Sequence, residues 1–394
     1  MGISRGRFLG VAATVGGAVA LSAASAASAA SRNGPSYRTR VTSSGAPGRR
    51  PGLTYRGVVY EVGEGETPGT AWSARRVHAD MRAIRHDLHA DSVKVTGDGV
   101  ERLTATAGAA AERGLRVWLE PTLGDVPERE ILDHLAETGR YAERLRRQGA
   151  DVHLSVGCEF WLFVPGIVPG DNVLERIENL TNGTFDPERM IRRLHRFTAR
   201  AAAVGRSVFH GPLTYASAEE ETAEWGVDWD LFDIVGVDYY GHHPDRAAYI
   251  RDLRRHVRPG KPLSINEFGT CTFKGAPEQG GMGWAAVDHT KDPPEVKPGL
   301  VRSERTQAAY LMDVLGALEE MGLYAAMAFT FVTPDAPHRP DDRRYDYDTA
   351  SYALVKPLRD RPDDPASGWH WEPKESFHAL SRAYARAARQ VAGD

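Results

Sequence analysis

Beyond residue 50 the chain alternates between short, nearly continuous apolar runs and longer stretches whose apolar positions recur every three or four residues. The first pattern marks strands buried on both faces, and the second marks amphipathic helices. Runs at 56–62 (RGVVYEV), 91–96 (DSVKVT), 115–121 (LRVWLEP), 152–160 (VHLSVGCEF), 207–213, 233–240 (DIVGVDYY), 262–268 (PLSINEF) and 324–332 (YAAMAFTFV) predict eight strands. Helical patterns occupy 71–88, 99–113, 127–148, 245–257, 303–321 and 375–388. Another helix begins at Asp186-Pro187-Glu188, where Asp offers an N-cap and Pro suits the first turn; the one after the fifth strand is short and weak. Eight strand–helix units predict an α/β chain closed into a (β/α)8 TIM barrel, with long loops after strands 4, 7 and 8. No glycine-rich fingerprint follows the first strand, so a dinucleotide-binding sheet is not expected.

Composition adjusts this picture only at its ends. The 394 residues are 41% hydrophobic and 26% charged, ordinary values for a globular chain. With 49 basic against 53 acidic side chains there is no electrostatic footprint for nucleic acid. Residues 1–30 differ from the rest: Arg5 and Arg7 precede a weakly apolar, Gly- and Ala-rich stretch and two A-x-A patterns. That order predicts a cleavable export signal, leaving no membrane span and a secreted or surface-associated protein. Ser4-Arg5-Gly6-Arg7-Phe8-Leu9 resembles a twin-arginine export motif, with Gly6 between the arginines. Residues 31–50, rich in Ser, Gly, Arg and Pro, predict a disordered linker, and 51–394 the barrel as a single domain.

In such a barrel chemistry belongs to the C-terminal ends of the strands. The polar residues expected there are Glu61, Lys94 with Asp98, Glu120, Glu159, His210, Asp238 with Tyr240, and Glu267. An apolar strand that ends in a carboxylate is costly unless the group is paired or functional. Glu159 and Glu267 end strands 4 and 7, which face each other across the mouth. Two carboxyl groups about 5–5.5 Å apart suit retaining glycoside hydrolysis, one as nucleophile and one as acid/base. Glu61, Lys94, Glu120, His210, Asp238 and Tyr240 then become candidate substrate contacts. Trp161, directly after Glu159–Phe160, and Trp284, in the seventh loop, are candidate stacking surfaces for sugar rings. Trp369 and Trp371 are expected to pin a loop to the barrel.

This placement resembles the large clan of retaining glycosidases whose acid/base ends strand 4 and whose nucleophile ends strand 7. The resemblance implies Glu159 as acid/base, Glu267 (in Ile265-Asn266-Glu267-Phe268-Gly269) as nucleophile, and Tyr240 as the tyrosine that hydrogen-bonds it. The chain departs from the clan in having Cys158 where Asn is usual, Lys94 where Arg is usual, and no tryptophan on strand 8. Lysine is a point charge and does not replace the planar guanidinium fork. Several further motifs resemble a bacterial abortive-infection-type family of the glycosidase barrel superfamily. They are Gly157-Cys158-Glu159, Pro169-Gly170-Asp171, Gly280-Gly281-Met282-Gly283-Trp284, Tyr347-Asp348-Thr349 and Trp371-Glu372-Pro373. That resemblance implies a phage-resistance role without a defined chemistry.

Two cysteines make no disulfide scaffold and no zinc pattern. Strand alternation turns Cys158 toward the helix layer if Glu159 faces the mouth, and Cys271 lies beyond another strand, so two buried thiols are expected. His242 and His243 are adjacent and so not on one face, strand one has no histidine, and the Asp-rich stretch 341–348 reads as a solvated charge run. No metal and no cofactor is expected. The rival to a hydrolase is a barrel that binds carbohydrate without turnover. A transglycosylase or lyase on the same scaffold is the other alternative.

Overall fold

A parallel strand flanked by helices outside and a barrel within must bury both sets of its alternating side chains. The computed structural model, which describes residues 52–392, shows how this chain does so. Eight parallel strands close on themselves: β1 (Tyr55–Val62), β2 (Ser92–Gly97), β3 (Arg116–Pro121), β4 (Val152–Cys158), β5 (Leu213–Ala218), β6 (Val235–Tyr239), β7 (Leu263–Phe268) and β8 (Ala325–Ala328). Each pairs with its sequence neighbours, and β8 pairs with β1 through Tyr55 and Ala325. The export signal and linker expected at 1–50 lie outside the described residues. No described helix is long and apolar enough to cross a membrane.

Outward positions such as Val58, Val93, Val95, Leu119, Leu154, Val156, Val237 and Ile265 join the helices in one buried apolar cluster. The helices are α1 (Ala74–His86), α2 (Val100–Glu112), α3 (Glu128–Arg147), α4 (Phe160–Phe163), α5 (Val173–Thr181), α6 (Pro187–Val208), α7 (Glu219–Ala223), α8 (Arg246–Leu253), α9 (Glu304–Met321) and α10 (Glu375–Ala392). The Asp186 carboxylate accepts from Arg189 N–H and Pro187 enters the first turn of α6, as that tripeptide predicts. Inward positions form a second cluster, with Val59, Trp118, Cys158, Ala216, Ile234 and Met327. The lower barrel is plugged by aromatic rings: Trp118 stacks on His153 with centroids 4.2 Å apart, and His153 Nε2 lies 2.9 Å from the Tyr324 hydroxyl. Burial holds the His153 imidazole neutral, with its pKa down to about 3.

One strand is not where the apolar run predicts it. Residues 207–213 end helix α6 and enter a loop, and β5 starts only at Leu213. Val208 and Phe209 supply the misleading hydrophobicity, whereas the true strand, LTYASA, is built from small and half-polar residues. They fit because its inward positions Thr214 and Ala216 fill a narrow, fully buried interior.

The long loops after β4, β7 and β8 are all present. Between β4 and α6 lie α4 and α5; after β7 comes a 3-10 segment (Pro277–Ala286). After β8 a hairpin pairs Val355–Arg359 with Trp369–Pro373. On that hairpin Trp369 donates to Gly69 O (2.9 Å) and Trp371 to Asp80 Oδ1 (2.8 Å), so both indoles pin the loop. Below, Lys374 Nζ is 2.6 Å from Asp348 Oδ1 with both groups fully buried, and Arg302 holds the second oxygen of Asp348. The Asp-rich stretch is thus partly buried and paired rather than wholly solvated.

Candidate functional site

The middle of β2 and the C-terminal ends of β3, β6 and β7 bring four charged side chains into the barrel. Lys94, Glu120 and Glu267 are 0% exposed and Asp238 2%. Lys94 Nζ stands 2.9 Å from Glu120 Oε1 and 2.9 Å from Glu267 Oε1. Burial opposes the Lys94 charge, but Glu120, Glu267, Asp238 and Cys158 together outweigh it and raise its pKa, so the ammonium is retained. Thr96 on β2 donates to Glu120 Oε1 (2.9 Å). The Tyr240 hydroxyl donates to Glu267 Oε2 at 2.7 Å. Glu267 is therefore gripped on one oxygen by an ammonium and on the other by a phenol, an arrangement that favours its ionised form. Lys94 thus serves two carboxylates at once.

Glu159 reaches the site by a different route. A register shift between Ser155 and Cys158 interrupts the β4–β5 ladder, Gly157 has φ +149°, and Glu159 lies in the left-handed region at φ +37°. A residue with a side chain takes that conformation only where its surroundings impose it. Here the Glu159 N–H donates to Ala216 O (2.8 Å), and the next N–H, of Phe160, donates to the Tyr215 hydroxyl (2.8 Å). Tyr215 in turn donates to the buried Glu221 carboxyl on α7, at 2.7 Å from Oε2. Burial pushes the Glu221 pKa well up; the Tyr215 hydrogen bond opposes this, and the Glu159 charge nearby adds to it.

This distortion corrects the expected direction of Cys158. Its side chain joins the inward cluster and its thiol lies 3.3 Å from Asp238 Oδ2, not in the helix layer. The bulge breaks the period-2 alternation on which the expectation rests. Cys158 Sγ lies within 4.8 Å of oxygens of Glu120 and Glu267, and equally of Glu159 and Asp238. Glu159 and Glu267 therefore flank one shared neighbour, no more than about twice that distance apart, a span that covers glycosidase carboxyl pairs. Either group of three could hold a cation by spacing alone. Lys94 already supplies the positive charge between Glu120 and Glu267.

The remaining sequence candidates divide. Asp238 is neighbour to Glu267 in the β6–β7 register and lies in the site. Glu61, half-buried at the end of β1, lines a groove with Trp72, Arg76, Thr333 and Asp335. Trp161 is half-buried on α4, edge-on to Trp225 with centroids 6.0 Å apart. Trp284 is only 5% exposed and packs among Cys271, Phe329 and Tyr352, so in this conformation it offers no ring face to a ligand. His210 is misplaced by the strand-five error. It precedes β5, at the opposite end of the barrel, with its N–H donating to Glu143 Oε2 (3.1 Å) and its side chain 60% exposed. The residue that does end strand five is Glu219, whose Oε1 accepts from Tyr240 N–H at 3.0 Å. Its signal in the sequence is the same one that marks the other strand ends, a carboxylate closing a strand.

No protein-family model matches the chain, and no curated protein is similar to it in sequence. The abortive-infection-type resemblance therefore stands on its motifs alone. Solved structures do match. A GH113 β-mannanase from Alicyclobacillus acidocaldarius superposes with TM-score 0.53 at 15% identity, over 84% of this chain and 97% of that one. A second GH113 β-1,4-mannanase gives 0.54 at 13%, over 84% and 99%. A β-glucuronidase from Ruminococcus gnavus gives 0.52 at 14%, over 84% of this chain and 50% of that one. At these identities the likeness is one of fold: the chain carries the (β/α)8 barrel found in these glycoside hydrolases.

Proposed function

We propose that the protein is an exported glycoside hydrolase that cleaves its substrate by a retaining, two-carboxylate mechanism. The observation that carries the reading is the state of Glu267: a fully buried carboxylate held by Lys94 and Tyr240 at the end of β7, with Glu159 close by at the end of β4. In the proposed reaction Glu267 attacks the anomeric carbon while Glu159 passes a proton to the glycosidic oxygen. The bond to the leaving group breaks and a glycosyl–Glu267 ester forms. Glu159 then takes a proton from water, which displaces Glu267 and releases the sugar. Lys94 and Tyr240 keep the nucleophile ionised and oriented. Barrel neighbours titled mannanase and glucuronidase support β-linked sugars as the first substrates to try. The N-terminal signal pattern supports a site of action outside the cytoplasm.

A panel of aryl β-glycosides and β-mannans tests it. Glu267→Ala is expected to abolish hydrolysis, and azide to restore turnover as a glycosyl azide of inverted configuration. Hydrolysis that persists undiminished in that variant overturns the assignment. One observation favours a second reading, a barrel that binds carbohydrate without turnover: Glu267 is 0% exposed, so a sugar reaches it only if neighbouring groups move aside. Binding to glycans together with no turnover of any panel member selects that alternative.

A further inference from the structure

A hydrogen-bonded chain runs from Glu219, directly after β5, and from the C-terminal end of α8 through Tyr240 to Glu267. Glu219, 17% exposed in its side chain, accepts from the Tyr240 backbone N–H through Oε1 (3.0 Å) and from Arg255 Nη2 through Oε2 (3.3 Å). Arg255 also pairs with Asp252 (3.2 Å), which accepts from the Tyr239 hydroxyl and lies 3.0 Å from His243 Nε2. Tyr240 is thus tied through its main chain to α7 and Tyr239 through its hydroxyl to α8, while the Tyr240 hydroxyl reaches inward to Glu267.

We infer that Glu219 is a positioning residue for the candidate nucleophile, acting through the Tyr240 main chain. The inference rests on the reading of Glu267 as nucleophile. A carboxylate bonded to a backbone N–H fixes that peptide more firmly than a neutral carbonyl does, because charge-assisted bonds are the stronger kind. Tyr240 lies one residue beyond β6, which ends at Tyr239, and its ring packs edge-on to Phe329 and Tyr352; the Glu219 bond adds a fixed point on its main chain.

The group is also placed to respond to pH. Burial raises the Glu219 carboxyl to about 7; the Tyr240 N–H lowers it, Glu220 and Asp252 raise it, and Arg255 lowers it. Tyr239 and Tyr310 face it from β6 and α9, and Glu221 is its neighbour on α7. Below that pH the carboxyl is neutral and its hold on Tyr240 weakens; above it the hold is charge-assisted.

A dinitrophenyl β-glycoside makes the test clean, since its leaving group needs no proton and the titration of Glu159 is silent in kcat/KM. Wild-type kcat/KM should rise about fivefold as pH passes through about 7. Glu219→Gln should stay at the low-pH level with that limb gone, and Arg255→Met should move the limb to higher pH. Glu219→Ala should lose at least about tenfold. Unchanged profiles in the Gln and Met variants overturn the inference. If the wild type hydrolyses no glycoside, the glycosidase reading fails instead, and the inference is read from crystals of Glu219→Ala and Glu219→Gln at pH 8. A Tyr240 hydroxyl moved out of hydrogen-bond reach of Glu267 in the Ala variant supports the inference; one that stays in place in both variants overturns it.

Discussion

Removing the Lys94 ammonium leaves Glu120 and Glu267 buried without the countercharge they share. The desolvation of two carboxylates then has nothing to offset it. Lys94→Met is expected to lose about 3–5 kcal/mol of stability at neutral pH and to recover part of it in acid, where the carboxyls are neutral. Denaturant unfolding at pH 4.5 and 7.5 checks both the size and the direction. At this scale the sequence shows residue types more reliably than partners. A lysine in the middle of an apolar strand has to meet carboxylates, and the strand ends supply several. That it meets Glu120 and Glu267 at once follows from the tilt of strands around a closed barrel, which sets the heights of side chains on different strands. Cys158 was illegible for a local reason: alternation is a rule for regular strands, and β4 is bulged at Gly157.

The β4–α4 corner turns on that bulge. A Cβ placed on Gly157 would stand 2.5 Å from the Phe160 ring, and φ there is +149°. Gly157→Ala should therefore cost about 1–3 kcal/mol and displace Glu159, lowering glycosidase activity more than Gly→Ala at exposed Gly114, which shares a positive φ (+71°) but would meet no atom beyond its chain neighbours within 4 Å. Paired unfolding and rate measurements separate the two effects. Among the elements, strands set within long apolar runs are readable, and β5, LTYASA, is not. Its inward residues Thr214 and Ala216 are small because the barrel interior leaves little room, so the constraint that selects them is tertiary and gives no continuous hydrophobic signal. Val208 closes α6 and Phe209, its C-cap, is buried in the core, so their apolarity belongs to a helix terminus. With strand five expected at 207–213 and found at Leu213–Ala218, His210 lies outside the site and Glu219 stands within it.

Across the whole molecule, Asp80 on α1 ties β1 to the hairpin near the chain's end, accepting from the Tyr60 hydroxyl (2.8 Å) and from Trp371 Nε1 (2.8 Å). Burial raises the Asp80 carboxyl to about 6, with the Trp371 and Tyr60 hydrogen bonds opposing the rise. A carboxyl whose folded pKa is raised holds its proton more tightly in the native state. The Asp80 contribution to stability is then full below the unfolded value of about 3.8 and is lost as pH climbs through about 6. Asp80→Asn should flatten that decline, which unfolding free energies between pH 4 and 7 will show. The buried Asp348–Lys374–Arg302 contacts join the loops after β7 and β8, so the packing of those loops depends on charge pairs far apart in sequence.

The order of strands and helices, the barrel they close into and the two carboxylates at opposite strand ends all follow from the sequence alone. Periodicity is a local property, and the C-terminal rim is fixed once eight units are counted. Only the tertiary structure decided which charges touch, that Trp284 is buried, that Cys158 points inward and that Glu219 stands behind Tyr240. Those outcomes depend on strand tilt, a bulge and the packing of long loops, which bring together residues that no sequence window contains.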